Sequence, residues 1–301
     1  MTRLVIAMMA LAVLSACDAV SVLDESAAPP APVNIVPEAI AGDLKAASYA
    51  AATDTMVIRI TLDANTLDAV YARDDRFLVP GYLAFTTQDD PLDRFVTAFY
   101  RSSADGSVQA SLVMDGGQFT KYFGGTTFGQ TGTYTAPAQG LASYAGTYVG
   151  MLNIGTRDGT LPSDQTGERL PGRAVRVTGD VFLNADFTNG AVNGIVDGRT
   201  FGDTVTGLFD AGDPMPSIFL VPAPIAANGS FAGGVENRAE DSLGTYAGTF
   251  GGSNAAGVAG GIRLTGDFLP GLDKEEEYGI FVLDQCGSTP VVCDSVNTLN
   301  D

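Results

Sequence analysis

Apolar and polar residues alternate with a period of two along much of the chain. Residues 108–114 are the clearest short case, with Val108, Ala110, Leu112 and Met114 set against Gln109, Ser111 and Val113. That is the pattern of a half-buried strand. Runs rich in Val, Ile, Phe and Tyr at 55–62, 77–85, 94–101 and 107–114 predict a small antiparallel sheet or sandwich within residues 46–140. Ala104-Asp105-Gly106 and Asp115-Gly116-Gly117 are hairpin signals between those runs.

From residue 141 the spacing becomes regular, and eight strands are predicted at 143–154, 173–187, 191–196, 217–221, 229–234, 245–251, 258–265 and 278–284. Val175, Val177, Val181, Leu183, Ala185 and Phe187 share one face; Arg176, Thr178, Asp180, Asn184 and Asp186 share the other, and Phe182 breaks the alternation. Asn189-Gly190 predicts a tight type I′ turn. Eight alternating strands without a helical stretch point to an eight-stranded antiparallel β-barrel over 141–285, closed around its own side chains. The fold class is therefore all-β, a handle-like sheet or sandwich followed by a barrel. The glycines divide the same way: Gly42, Gly81 and Gly106 are the only three of 37 before residue 116. Interior glycines suit a tightly bent barrel wall.

The N-terminus carries a different signal. Arg3 precedes an apolar run at 4–14, followed by Leu14-Ser15-Ala16-Cys17. A run of about 11 residues is too short to span a bilayer of ~30 Å as a helix. Small residues before a cysteine resemble the cleavage site of a bacterial lipoprotein precursor. On that reading residues 1–16 are a signal peptide and Cys17 is the lipidated first residue; the alternative is a secretory signal with an incidental cysteine. Acyl chains contribute ~0.8 kcal/mol per buried methylene and would anchor the chain to a membrane. Asp18 resembles the inner-membrane retention signal of enteric lipoproteins, which leaves an inner-membrane location beside the outer membrane or cell surface. Pro29, Pro30, Pro32 and Pro37 mark residues 17–45 as a semi-extended tether, with room for a short helix within 38–52. Cys286 and Cys293 remain in a C-terminal tail at 286–301. An oxidising compartment and an even remainder favour a disulfide between them, two free thiols being the alternative. Without a CxxC motif, thiol redox chemistry finds no support.

Several linked motifs carry a family resemblance. Residues 185–194 (ADFTNGAVNG) resemble a hairpin of the transferrin-binding-protein-B-like barrel domains. Gly229-Ser230-Phe231-Ala232-Gly233, followed by the GTYAGTFGGSNAAGVAG run at 244–260, is similar to that family's "G.F.G…GGFYGPNAAEVAG" signature, and Gly146-Thr147-Tyr148-Val149-Gly150 to its first strand. The resemblance covers about 142–284. It implies a handle domain followed by a barrel and a binding role at the outer surface; iron or haem acquisition is a theme of that family. Two departures limit it. The family's Glu before Val is Gly257 here, and one handle-plus-barrel unit stands where the transferrin-binding protein has two.

Composition narrows the chemistry. The chain has no histidine and no tryptophan, which removes Ser-His-Asp and Cys-His catalysis and His-ligated zinc or haem. Sixteen Lys and Arg against 35 Asp and Glu leave a net charge of -19 and no basic field for nucleic acid. Loss of Arg3 with the signal peptide would make the mature chain more negative still. The acidic groups Asp74-Asp75, Asp89-Asp90 with Asp93, Asp210 with Asp213, and Glu275-Glu276-Glu277 match no calcium loop and read as solvated charge. No GxSxG elbow and no phosphate loop occurs. Tyr122, Phe123, Phe128 and Tyr134 are candidates for a ligand surface between the two modules, or for ordinary sheet packing. No cofactor or metal site is singled out. The expected function is a non-enzymatic, lipid-anchored envelope lipoprotein that binds a protein or a nutrient carrier. The alternatives are an accessory envelope lipoprotein without a soluble ligand and a carboxylate-dependent hydrolase.

Overall fold

A computed structural model of the chain describes residues 36–287 apart from 63–64, 120, 139, 158–169, 206, 267, 270–271 and 273. A single helical turn, α1 (Glu38–Ala41), leads into seven strands: β1 (Leu44–Ala50), β2 (Thr55–Leu62), β3 (Asn65–Arg73), β4 (Leu83–Thr87), β5 (Val96–Ser102), β6 (Val108–Asp115) and β7 (Gly124–Gln130). They form one antiparallel sheet in sequence order, not a sandwich. The sheet curls until its ends meet: the Asp43 amide donates to Gly124 O at 3.0 Å, and the Gly124 amide returns a bond to Asp43 Oδ2 at 3.2 Å. Leu44, Met56, Ile58, Tyr71, Phe85 and Val113 fill the concave side. The chain before β1, which composition assigns to a tether up to residue 45, folds from residue 38. Glu38 sits in the first turn of α1, where negative charge suits exposed N–H groups, and Gly42 ends it with a φ of 53°.

Two strand expectations change in this sheet. Residues 77–85 do not run as one strand: a 3-10 turn at Asp75–Phe77 is followed by a reversal through Pro80 and Gly81, and β4 starts only at Leu83. Asp74 caps that turn by accepting from the Arg76 amide at 3.1 Å, and Gly81 takes a φ of 83°. β6 is buried on both faces instead of one. Val113 faces the sheet's own core, while Val108, Ala110, Leu112 and Met114 face the barrel. A strand between two apolar surfaces tolerates no polar face except where hydrogen bonds satisfy it.

The second half closes into a barrel of eight antiparallel strands: β8 (Leu141–Arg157), β9 (Gly172–Asp186), β10 (Ala191–Phe201), β11 (Ile218–Pro224), β12 (Ser230–Glu236), β13 (Ser242–Gly251), β14 (Gly257–Thr265) and β15 (Glu276–Gln285). Each overlaps one predicted strand. The predicted inner face of β9 lies in the barrel core, Phe187 at its edge, and Phe182 lies on the outer wall. The β9–β10 connection is not a type I′ turn. Only Gly190 has positive φ, and four residues (187–190) separate the strands. Asp186 makes the difference by accepting from the Thr188 and Asn189 amides at 2.9 and 3.0 Å, which holds a wider turn. Glycines let large rings fill the lumen. A Cβ on Gly279 would lie 1.9 Å from Tyr148 Oη, and one on Gly260 would lie 2.3 Å from Phe281 Cζ.

Sheet and barrel are joined by an apolar seam. Ile40, Phe77, Leu112, Met114 and Phe128 pack on Val149, Met151, Ala247, Ala259, Ile280 and Val282 of the barrel's outer wall. Small residues keep the wall flat enough for close approach; a Cβ on Gly261 would meet Thr126 Oγ1 at 2.4 Å. Tyr82 pins the seam by donating to Thr147 O at 2.8 Å, and burial raises its hydroxyl to about 12. Among the described residues no helix is long and apolar enough to cross a membrane.

Candidate cleft between sheet and barrel

Beside that seam a cleft of about 700 Å³ opens, lined by α1, the turn between α1 and β1, the end of β2, the loop before β7, β14 and β15. β15 shapes its floor. Period-two alternation sends Glu277, Gly279, Phe281 and Leu283 into the barrel and Glu276, Tyr278, Ile280 and Val282 toward the sheet. Glu276 sits at the centre: Tyr122 donates to its Oε2, Arg263 Nε donates to its Oε1, and its own amide donates to Asn153 Oδ1 at 3.0 Å. Arg263 also donates to Ala39 O at 3.2 Å and lies over the Tyr278 ring at 5.5 Å. Tyr122 and Tyr278 are held protonated, by burial first and the Glu276 carboxylate second. Asp43 is raised above its usual range by burial, although the Gly124 amide favours its ionised form. Gly42 is required here by its positive φ and by space, since a Cβ would meet Gly124 O at 2.3 Å.

The loop that carries Tyr122 is braced from behind. Arg94 pairs with the buried Asp115 and donates to Lys121 O at 3.0 Å and Gln118 O at 3.2 Å. Gln118 in turn donates to Leu92 O at 2.7 Å. A ligand entering the cleft would meet aromatic faces, charges of both signs and carboxylates already engaged. Among the described residues, no group of three or more carboxylate or thiol side chains is arranged to hold a metal ion.

Of the four aromatic candidates, only Tyr122 lines the cleft. Phe123 is buried inside the sheet, Phe128 in the seam, and Tyr134 packs against the barrel core. Glu275-Glu276-Glu277 is not solvated loop charge: the three are 2%, 8% and 0% exposed. Glu277 belongs to the barrel interior, where Arg199 and Tyr148 each reach it at 2.6 Å. The unbroken apolar run that follows at 278–283 is the available sign that it opens a strand. Asp43, Arg263 and Tyr278 gave no sequence signal, because only folding brings them together. Asp89, Asp90 and Asp93 are exposed, whereas Asp74 is buried and binds Arg76 at 2.7 Å, Asp75 binds Arg73 at 2.7 Å, and Asp213 accepts from the Asp210 amide at 2.8 Å. Cys17 and Cys293 lie outside the described residues, and Cys286 packs with Ala145, Phe182 and Ile195.

No protein-family model matches the chain, and no curated protein matches it. Solved structures of transferrin-binding protein B are similar to it. A mutant from Haemophilus parasuis Hp5 shares 14% identity over 80% of this chain and 45% of that one, at a TM-score of 0.41. The isotype 1 protein from serogroup B Neisseria meningitidis shares 14% identity over 77% of this chain and 50% of that one, at a TM-score of 0.37. The chain thus spans about half the length of the structures it resembles.

Proposed function

We propose that the protein is a non-enzymatic binding module of the bacterial cell envelope, anchored by acyl chains on Cys17, that takes a protein or nutrient-carrier ligand at the sheet–barrel cleft. The cleft carries this reading. It is concave, walled by two tyrosines, and rigid because its charges are held by one another. Its carboxylates argue for recognition over catalysis: Glu276 is neutralised by Arg263 and Tyr122, and Asp43 accepts from a backbone amide. A ligand that presents both a cation and an anion beside an apolar group complements such a wall. A Cys286–Cys293 disulfide would clasp the tail beyond β15.

Affinity capture by the mature, unacylated protein, read by mass spectrometry, tests the binding role. A ligand held by the wild type and lost with Tyr122→Ala and Arg263→Ala supports the cleft; retention by both variants rejects it. Protease shaving of intact cells tests surface exposure, and a protein untouched from outside is not a surface receptor. Cys17→Ala should move the chain to the soluble fraction, and continued membrane association would overturn the anchor.

A further inference from the structure

The barrel's outer wall holds a second feature, running across β8, β9, β10 and β11. Phe182 opens it. The register places Ala145, Phe182, Ile195 and Phe219 opposite one another on β8, β9, β10 and β11. This is an apolar row running across four strands on a face that alternation assigns to solvent. Ala145 and Phe182 are covered, at 9% and 7% exposure. Ile195 and Phe219 remain half-open and line a cleft of about 500 Å³ together with Asp197, Ser217, Glu236 and Glu240.

The rim is acidic. Asp180 and Asp197 are direct cross-strand partners, an arrangement of like charges that destabilises a sheet. Burial, and then repulsion from Asp197, hold the Asp180 carboxyl above its usual range. Glu236 stands opposite Phe219 on the next strand. Arg238 is the one cation among the described lining residues. This charge selects the occupant. An anionic membrane or phosphate ligand would be repelled, and a second copy of the chain would bring the same acids together. A cationic segment would relieve the Asp180–Asp197 repulsion while covering the apolar row.

We infer that this outer-wall cleft docks a basic segment of a partner protein, with an aromatic or aliphatic side chain seated over the Ile195–Phe219 pair and flanking Lys or Arg on Asp197 and Glu236. The site is separate from the sheet–barrel cleft, and each stands or falls alone.

An acetylated, amidated Lys-Phe-Lys-Leu-Lys peptide titrated into the mature protein under NMR observation is the probe. Shift changes should concentrate at residues 180–182, 195–197, 217–219 and 236–240. Affinity should fall about tenfold with Phe219→Ser, and comparably with the paired Asp197→Asn and Glu236→Gln changes, which keep the apolar row and guard against misfolding of the first variant. Tyr122→Ala should bind the peptide as the wild type does. Shifts spread over the other acidic loops, or unchanged affinity in both the Phe219 and the paired acid variants, would overturn the proposal. So would equal binding of a peptide with Ser in place of Phe and Leu.

Discussion

Glu276 and Glu277 are neighbours on β15, and each is held by one arginine and one tyrosine, yet the two assemblies have opposite characters. Glu277, with Arg199 and Tyr148, is sealed inside the barrel; the arginine and the glutamate are 1% and 0% exposed at their side chains. Glu276, with Arg263 and Tyr122, lies at the cleft, where the arginine side chain keeps 32% of its surface in contact with solvent. One step along a strand turns a side chain to the other face, so the same chemistry serves the barrel interior in one residue and the wall of the cleft in the next. The interior set bears the larger energetic risk. Removing one partner from a buried pair leaves an uncompensated charge, whereas a partly solvated pair loses much less.

Breaking the interior set should therefore have the largest effect. Glu277→Ala strands Arg199, whose Nε has no hydrogen-bond partner among the described residues, and should cost about 3–5 kcal/mol in denaturant unfolding. A loss below about 1 kcal/mol would show that Arg199 finds solvent or another acceptor. The packing of α1 on β7, beside the cleft, comes next. A Cβ on Gly125 would lie 2.0 Å from Ala41 O, a backbone atom that cannot swing aside. Gly125→Ala should cost about 1–3 kcal/mol and loosen α1 against the cleft, seen as faster amide exchange at Ile40 and Ala41. The cleft set should respond more weakly: Tyr122→Phe removes one hydrogen bond to Glu276 and should cost about 1 kcal/mol, with a larger loss in ligand capture than in stability. A loss of stability equal to that of Glu277→Ala would erase the contrast.

A pair outside both sets calibrates the low end. Asp74 is held below its usual range, mainly by the Arg76 side chain. Its contribution is thus present above the unfolded value of 3.8 and fades as pH falls through 3.8 toward the lower folded value. Asp74→Asn should lose about 1 kcal/mol or less at neutral pH and show a flatter fall in stability on acidification. An acid profile identical to the wild type would mean that the Asp74–Arg76 pair adds nothing to stability.

Legibility followed packing. The barrel strands β9 to β12 could be read because one face meets the lumen and the other mostly meets water, which writes the alternation into the residues. β6 and β15 lie between two apolar surfaces and blur it. β3 was missed for the opposite reason, since Leu67, Val70 and most of its neighbours are exposed and no face is selected. β7, Gly-Gly-Thr-Thr-Phe-Gly-Gln, reads as a loop because its glycines answer the closeness of α1 and the barrel wall and not a turn. The site was legible only at Tyr122. The Glu275–Glu277 run misled because charge alone does not tell a solvated triplet from the first turn of a strand into a barrel.

By itself the sequence determined the class of the protein: all-β, a sheet or sandwich followed by eight alternating strands, acidic and without histidine. These follow from local propensity, periodicity and composition, which act within a few residues. Which glutamate faces the barrel interior and which faces the cleft, and which arginine answers each, was decided by barrel closure and by the docking of the sheet. Arg199 and Glu277 are 78 residues apart in the chain, and Tyr122 and Glu276 are 154 apart. Burial and pairing over such separations are set by strand register and by the exclusion of water, and no local pattern encodes either.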